Sequence, residues 1–449
     1  MIVKSIKRNI VRTLAAALFL CCPAGLSAQE GAYGSLTPYS IFGVGDLADN
    51  GSAYNHSMAG VGIASRNNRY MNYLNPAAVT ARDSLAFMID MSLYQDNKIF
   101  RQGDMKSGSN TFTLNDLAIS FPIYRSSAMM VGIRPYSNVG YDYGYLYTDP
   151  LLIGRTGNIG YSASGQGSLY QLFASAGVTF WKKLSLGAEW IYHFGSIERL
   201  NTESFGNASY NGAENGYNMK LHATAAKFGI QYEEKLGPSG RLCVGATYKT
   251  AASMKGFVEG FEYSTGSASS DTLSYRLDTL ANTPGKVMLA GELGIGIAYN
   301  HADRWRAELD YTRSDWTSTG MDKVGGFAGN HAPVSGFSGF TATVSRSLRA
   351  GFEITPNIND IRYYYKKITY RAGAYCKNEY YKLDGRDVSC AGITLGATLP
   401  VFRWYNGLTV GVDFGQRGSV RNNAIRERYI NFSFGVNLFD IWFRKQQYE

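Results

Sequence analysis

The sequence has few cysteines, few prolines, few histidines and no long apolar run, and each shortage excludes a class of protein. Cysteines number 5 among 449 residues, and only three lie beyond the predicted N-terminal leader, an odd number that argues against a disulfide framework. The 5 histidines are scattered, with no pair at metal-ligand spacing. Nucleophile-elbow and P-loop motifs are missing. We therefore predict that the protein is not an enzyme and has no cofactor and no metal site.

The absence of long apolar segments after residue 28 excludes a membrane-spanning helix, which needs roughly 18 apolar residues or more. Residues 1–28 are instead typical of a secretory signal peptide, with basic residues from Lys4 to Arg12, a short apolar run from Leu14 to Leu20, and small residues before the cleavage site. A lipoprotein signal is the rival interpretation, but the bulky Leu20 before Cys21 disfavours it. A chain exported without membrane helices is periplasmic, secreted or an outer-membrane barrel.

Charge is also in short supply, at 18% of residues, and the formal net charge of +9 includes the basic leader. No basic helix or RNA-binding motif is present, so nucleic acid is not an expected partner. Lys and Arg in loops are explained most simply as solvated charge, with lipopolysaccharide or anionic lipid head groups as the alternative contact.

What the chain does have is glycine (51), tyrosine (33) and phenylalanine (23), in long alternating patterns. From residue 84 onward, runs of nine or more residues place an apolar side chain at every second position, as tilted barrel strands require. In the run from Leu184 to Arg199, for example, Leu186, Trp190 and Phe194 share one face. A soluble β-sandwich or propeller would use strands about half as long.

The runs and the links between them predict an all-β fold, a transmembrane antiparallel β-barrel of 14 strands. The number is even, and long links alternate with short ones, as the extracellular loops and periplasmic turns of such barrels do. Among the predicted long loops are residues 95–111 and 137–166, and no predicted periplasmic link exceeds about eight residues. The alternation puts both termini in the periplasm.

The stretch Met58–Ala78 fits neither a helix nor a strand. Small residues such as Gly60 and Gly62 precede a polar run, and Asn75 and Pro76 form a turn signal. We interpret it as a small hatch inside the barrel. In the third strand, Gly132 has no side chain and Pro135 cannot donate a ladder hydrogen bond, so the wall either bends here or simply ends its strand at Pro135.

Taken together, these features resemble the FadL/TodX family of outer-membrane transport proteins. The similar residues are Ser57–Ala64, then Asn75, Pro76 and Ala77, and further on Thr283–Val287, Gly296–Tyr299, Trp305 and Asp310–Trp316. The resemblance implies a hatch that includes Met58, Gly60, Val61, Gly62, Ile63, Asn75, Pro76 and Ala77, and a strand kink with lateral opening at Gly132, Arg134 and Pro135.

We therefore expect a signal peptide (1–28), an N-terminal segment with the hatch (29–83), a barrel (84–443) and a periplasmic tail (444–449), located in the cell outer membrane. The family implies uptake of a hydrophobic small molecule or lipid, fatty-acid-like or aromatic, by passive diffusion past the hatch and lateral release. The alternative is a non-transporting barrel subunit of an outer-membrane complex for protein secretion or barrel assembly. That alternative implies protein partners in the outer membrane or periplasm.

Overall fold

The protein was analysed as a computed structural model. The described residues are 34–49, 51–83, 85–124, 126–147, 150–207, 209–264, 270–276, 286–328, 339–401, 407–420 and 424–441. The expected signal peptide and periplasmic tail lie outside them. No helix in these ranges is long and apolar enough to cross a membrane.

The strands in chain order are β1 (Asp46–Leu47), β2 (Ala86–Gln102), β3 (Met105–Tyr124), β4 (Ser127–Tyr147), β5 (Ile159–Phe180), β6 (Leu184–Phe205), β7 (Ala213–Leu236), β8 (Gly240–Lys249), β9 (Ala252–Ser253), β10 (Lys255–Ser264), β11 (Ser270–Arg276), β12 (Met288–Leu289), β13 (Glu292–His301), β14 (Trp305–Asp315), β15 (Phe340–Ala342), β16 (Val344–Ile354), β17 (Thr369–Leu383), β18 (Arg386–Pro400), β19 (Gly407–Gly418) and β20 (Arg426–Ile441). The short helices are α1 (Ala53–His56) and α2 (Pro150–Thr156), with 3₁₀ turns at Pro38–Ile41, Pro76–Thr80 and Tyr364–Lys366.

Fourteen of these strands form a closed antiparallel wall, and this confirms the predicted fold class. They are β2 to β8, β13, β14 and β16 to β20, and each pairs with its neighbours in the wall. The sheet closes where Ala86 on β2 pairs with Ile441 on β20. Closure removes the exposed edges that an open sheet would present.

The wall has apolar side chains on its outer face and polar side chains on its inner face, the opposite of a soluble β-sandwich. On β6 the outward Trp190 is 49% exposed, whereas the inward Glu189 is 1% exposed. Alternation of this kind gives an apolar surface for lipid and a polar interior, which is the arrangement of outer-membrane barrels.

Several predicted loops are in fact continuations of strands. The predicted loop 95–111 is a hairpin in which β2 and β3 run on to a tight turn at Gly103 and Asp104. Most of the predicted loop 137–166 belongs to β4 and β5, joined through α2. Apolar alternation ends where the wall leaves the lipid, so polar strand ends are invisible to a search for that alternation.

Two predicted strands also have different limits. Apolar alternation predicts one strand from Arg241 to Val258, but β8 ends at Lys249, and β10 pairs with the upper part of β7 instead. Apolar alternation also predicts a strand from Tyr363 to Tyr380, but β17 begins at Thr369, so the link before it is longer than the predicted length of about eight residues. Its three tyrosines, from Tyr363 to Tyr365, misled the strand prediction because aromatic residues favour strands.

Candidate functional site

The N-terminal segment, residues 34–83, lies inside the barrel as the hatch. Met58, Val61 and Ala64 are fully buried, as are Tyr73 and Asn75. The segment has little regular structure, so its buried polar backbone needs partners from the wall and from its own side chains.

Asn75 supplies several of those partners. Its amide Nδ2 donates to the carbonyl oxygens of Ile63 at 2.8 Å and of Ile230 on β7 at 3.2 Å. Its Oδ1 accepts from the N–H of Ala77 at 3.0 Å, which caps the 3₁₀ turn that begins at Pro76. Asn75 therefore joins the two halves of the hatch to each other and to the wall.

A carboxylate on the wall holds the stretch around Gly62. Asp310 on β14 accepts hydrogen bonds at its Oδ2 from the N–H groups of Gly62, at 2.7 Å, and Ile63, at 2.9 Å. Within the hatch, Asn72 donates to the carbonyl oxygens of Gly62 and Ser65. The residues predicted as hatch from Met58 to Ile63 and from Asn75 to Ala77 thus lie in one packed unit.

The wall makes room for this unit with glycines. Inward positions of neighbouring strands carry glycine pairs in register, and a Cβ at any of these positions would collide with hatch or wall atoms. Side chains as small as alanine would therefore push the hatch inward. The pairs are Gly177 with Gly187, Gly187 with Gly229, Gly245 with Gly296, Gly351 with Gly373, and Gly396 with Gly411; we call these nine residues the glycine belt.

Buried ion pairs and stacked rings fasten the hatch near α1. The Arg371 guanidinium pairs with Glu353 at 2.7 Å and lies over the Tyr54 ring, 4.4 Å from its centroid. Tyr54 stacks on Tyr70 with centroids 4.5 Å apart. Arg306 covers the same Tyr54 ring and pairs with Glu308 at 2.8 Å. Cationic wall side chains thus hold hatch aromatics by charge and by ring contact.

Two basic side chains of the wall bind Asp49, an acidic residue in the N-terminal part of the hatch. Asp49 lies 2.9 Å from Arg349 and 3.3 Å from Lys377. Burial alone would raise the pKa of Asp49, but Lys377 and Arg349 outweigh it and hold that pKa well below its usual range. Burial lowers the pKa of His56, which keeps its imidazole neutral near pH 7.

Higher in the barrel the space is filled by apolar side chains of the protein itself. Phe42 stacks on Phe340 at 5.1 Å between centroids, and Trp316 packs against Tyr380 at 4.6 Å. Tyr380 donates to the Gly45 carbonyl oxygen at 2.7 Å. This packed cluster occupies the part of the lumen nearest the extracellular loops.

Two cavities between described residues of the lumen are small and charged. One, of about 90 Å³, is lined by Asp46, Lys98, Lys377 and Arg417 among others. Another, of about 130 Å³, is lined by charged residues that include Lys227, Glu292 and Arg349. An apolar cavity that takes up benzene has a volume of about 150 Å³. Both of these cavities are smaller and lined by charged side chains, so neither suits an apolar guest.

The wall itself has one irregular place, between β3 and β4. These strands pair only from Tyr124 and Ser127 to Leu117 and Ile133. Beyond that point β3 continues to pair with β2, and β4 with β5. The upper parts of the two strands, residues 105–116 of β3 and 134–147 of β4, do not pair with each other. We call these two parts the seam. The predicted kink residues Gly132, Arg134 and Pro135 lie where the seam begins.

The hatch closes the seam from inside. On the β4 side, β1 pairs with Ser137 and Asn138, and the Ala48 N–H donates to the Tyr136 carbonyl oxygen at 2.9 Å. On the β3 side, Asn115 donates to the Gly51 carbonyl oxygen at 3.0 Å. The free edge of β4 is thus paired from Tyr136 to Asn138 with backbone that belongs to the hatch.

Arg134 does not face the lipid. It is 5% exposed, pairs with Glu189 at 2.9 Å and lies over the Phe173 ring at 4.5 Å. At Pro135 the register of β4 against β5 shifts by one residue before Ser137. The proline therefore lies beside a bulge, where a missing backbone donor is tolerated.

The sequence did not reveal the contacts of Asp310 and Arg371 with the hatch, or that of Glu189 with the kink residue Arg134. Nor was the glycine belt predicted. The glycine belt could have been recognised from the sequence, because its glycines recur at inward positions of successive strands.

The closed 14-stranded wall, the inner hatch and the interrupted β3–β4 pairing define a barrel of the FadL-type fold. The chain belongs to the BamG family, whose model matches residues 10–449. No curated protein sequence matches it.

Solved structures with this fold share little sequence identity with this chain. The Pseudomonas putida toluene transporter TodX superposes with a TM-score of 0.57 and 15% identity, over 89% of this chain and 99% of that one. A Pseudomonas aeruginosa FadL homologue gives 0.53 and 12%, over 88% and 99%. The Ralstonia pickettii toluene transporter TbuX gives 0.53 and 13%, over 87% and 98%. These structural neighbours are channels rather than enzymes.

Proposed function

We propose that the protein is a non-transporting β-barrel subunit of an outer-membrane complex for barrel assembly or protein secretion. The observation that carries this proposal is the filled lumen: the hatch and the apolar cluster above it occupy the described interior. A sealed barrel offers its outer wall, loops and periplasmic rim for contact with other proteins.

The energy needed to empty the lumen supports the proposal. Removing one partner of a buried ion pair costs about 3–5 kcal/mol because the other charge stays buried. The largely buried pair of Asp46 with Arg417 joins hatch to wall. The pair of Asp49 with Arg349 also joins them but contributes less, because its side chains are 33% and 17% exposed and solvent screens them. Withdrawing the hatch would break both pairs and the two hydrogen bonds to Asp310. The sum is of the order of the whole stability of an ordinary domain, about 5–15 kcal/mol. The hatch is therefore a structural part of the barrel, not a freely swinging gate.

The second candidate is uptake of a hydrophobic small molecule, fatty-acid-like or aromatic, with passive diffusion past the hatch and lateral release into the membrane. The seam supports it, because unpaired strands next to the kink offer a sideways exit. The FadL-type fold supports it as well, since the neighbours named above include toluene transporters. Such a route requires β1 to leave β4 and requires an apolar path through the charged cavities.

A disulfide between hatch and wall separates the two candidates. Leu47 and Ser137 are paired across β1 and β4, so their Cα atoms lie at about the 4.5–5.5 Å typical of antiparallel partners, within reach of a disulfide. The double variant Leu47→Cys/Ser137→Cys would be made with Cys376→Ser, since Cys376 is exposed while Cys243 and Cys390 are buried. A matched control carries Leu47→Cys alone.

In bacteria depleted of the native protein, the oxidised double variant is expected to restore outer-membrane protein assembly as well as the control does. It should also be recovered in mild detergent with stoichiometric protein partners and without an enriched hydrophobic ligand. If the oxidised protein fails and reduction restores it, or if a ligand co-purifies and no partner does, transport is the better account.

A further inference from the structure

The link between β16 and β17 forms an open pocket together with a neighbouring turn and the hatch. The pocket lies at the end of the barrel that carries the short turns, which the sequence predicts to be periplasmic. Its volume is about 670 Å³, and it is lined by residues 302–304 of the β13–β14 turn, residues 355–359 of the link and Arg69 of the hatch. Ligand pockets usually measure about 300–1,000 Å³, so this pocket has room for a segment of another molecule.

Hydrogen bonds hold the turn and the link in one arrangement. The Thr355 N–H donates to the Arg304 carbonyl oxygen at 2.7 Å, and the Arg304 guanidinium donates to the Pro356 carbonyl oxygen at 3.3 Å. Further along the link, the Asp360 carboxylate accepts from the N–H of Arg362 at 2.9 Å. The pocket is therefore formed before anything binds, which lowers the entropic cost of binding.

Two arginines of the pocket have no carboxylate partner among the described residues. Arg69 and Arg304 form no ion pair there. Glu353 on β16 lies near Arg69, but it already pairs with Arg371 at 2.7 Å and with Arg306 at 3.4 Å. Both pocket arginines are thus available to an external carboxylate.

The aspartates of the turn and the link have basic partners of their own. Asp303, which also lines the pocket, is bound by Arg241 on β8 and by the Asn300 amide at 3.1 Å. Asp360 pairs with Lys366 at 3.3 Å. Since these negative charges are balanced and the two pocket arginines are not, the pocket carries net positive charge and suits an acidic ligand.

The link also exposes apolar and aromatic side chains just beyond the pocket. Ile361 is 97% exposed, and the tyrosines at 363–365 are 39%, 52% and 56% exposed. The Arg362 guanidinium lies over the Tyr363 ring, 5.1 Å from its centroid. Aromatic residues and arginine are enriched in protein interfaces, and aromatic residues also occur where barrels meet lipid head groups. Arg69 favours a protein, because it belongs to the hatch inside the barrel, away from the surrounding lipid.

We propose that this pocket binds an acidic segment of a periplasmic protein. Arg69 and Arg304 would hold its carboxylates, since guanidinium groups bind carboxylates through paired, charge-assisted hydrogen bonds. Ile361 would contact an apolar side chain beside them. Because Arg69 belongs to the hatch and Arg304 to the wall, the bound segment would bridge the two. The inference rests on the proposed function, whose partner it describes.

The test measures the binding of a synthetic peptide to the full protein in phosphatidylcholine nanodiscs. The probe is a fluorescein-labelled decapeptide of Glu and Ser around one Leu, and its neutral counterpart has Gln in place of Glu. The variant Arg69→Gln/Arg304→Gln removes both pocket charges. The matched control, Lys182→Gln/Lys235→Gln, removes two exposed charges from other turns at the same end of the barrel. Heat-modifiable migration in SDS gels checks that each barrel is folded.

We expect fluorescence anisotropy to show that the wild type and the lysine control bind the acidic peptide, and that the arginine variant binds it about tenfold more weakly, a loss of about 1.4 kcal/mol. The neutral peptide should bind no better to the wild type than to the arginine variant. Equal affinity of the wild type for both peptides, or no saturable binding of either, would overturn the proposal without any variant. Equally effective displacement of the acidic peptide by inorganic phosphate would also overturn it, because the site would then hold only a small anion.

Two further measurements separate this inference from the proposed function and from lipid binding. Protein partners that co-purify equally with the wild type and the arginine variant would overturn the pocket and leave the proposed function standing. Selective peptide binding without any co-purified partner would uphold the pocket and contradict the proposed function. If phosphatidylglycerol in the nanodisc abolishes peptide binding, the basic residues serve the membrane surface and the proposal fails.

Discussion

The contact between Asp310 and the hatch allows a quantitative prediction for the variant Asp310→Ala. The substitution removes the acceptor of two hydrogen bonds, from the N–H groups of Gly62 and Ile63. Each buried donor left without a partner costs about 1–3 kcal/mol. We expect the hatch to be destabilised by about 2–6 kcal/mol, while the 14-stranded wall stays folded because its ladder is unaffected.

The assay follows the hatch and the wall separately. Heat-modifiable migration in SDS gels reports the barrel, and limited proteolysis with trypsin reports the hatch, whose Arg66 and Arg69 become cleavable when it loosens. The control is Asp303→Ala, in a periplasmic turn where the ion pair with Arg241 is exposed; exposed pairs contribute at most about 1 kcal/mol. If the two variants are cleaved at the same rate, Asp310 does not hold the hatch and the reasoning fails.

Two further predictions concern the same contacts. Gly187→Ala places a methyl group against the Pro76 backbone, so we expect trypsin to cleave the hatch faster than in wild type. The control is Gly154→Ala, where nothing lies within 4 Å of the added methyl group. Equal cleavage of the two variants would show that the glycine belt does not make room for the hatch. The depressed pKa of Asp49 adds stability that is fully present above its unfolded-state pKa of about 3.9 and is lost as pH falls toward the lower folded-state pKa. Between pH 7 and pH 3, the free energy of unfolding in urea should therefore change less in Asp49→Asn than in wild type. An equal change in both proteins would refute this role of Asp49.

The barrel was predictable because its signal is repeated along the chain. Alternating apolar residues report one face of each strand, and Trp190 and Leu186 are exposed as that pattern requires. The apolar alternation ends at the edge of the lipid, so the parts of β2 to β5 that extend beyond the lipid were predicted as loops. Polar strand ends such as Lys106 to Thr111 are paired through their backbone, and backbone pairing leaves no hydrophobic pattern in the sequence.

The hatch contacts were less predictable because they join distant positions. Asn75 is recognisable from its turn and its family resemblance, but its second partner, Ile230, is 155 residues away. In the sequence, nothing distinguishes Asp310 from other charged residues on inward-facing positions; only the fold brings Gly62 next to it. A single sequence reports which residues face inward, and it does not report which of them meet.

The seam and the hatch are best understood as one structure. An isolated gap between β3 and β4 would leave the N–H and C=O groups of β4 unpaired at the edge of lipid, where each unsatisfied group costs several kcal/mol. The hatch covers the lower part of this edge, since β1 pairs with Ser137 and Asn138 and the Thr37 N–H donates to the Gly140 carbonyl oxygen at 2.8 Å. Any sideways opening must therefore displace the hatch first, and any displacement of β1 exposes the seam. Whatever partner or ligand acts on this barrel, the state of its wall is coupled to the state of its hatch.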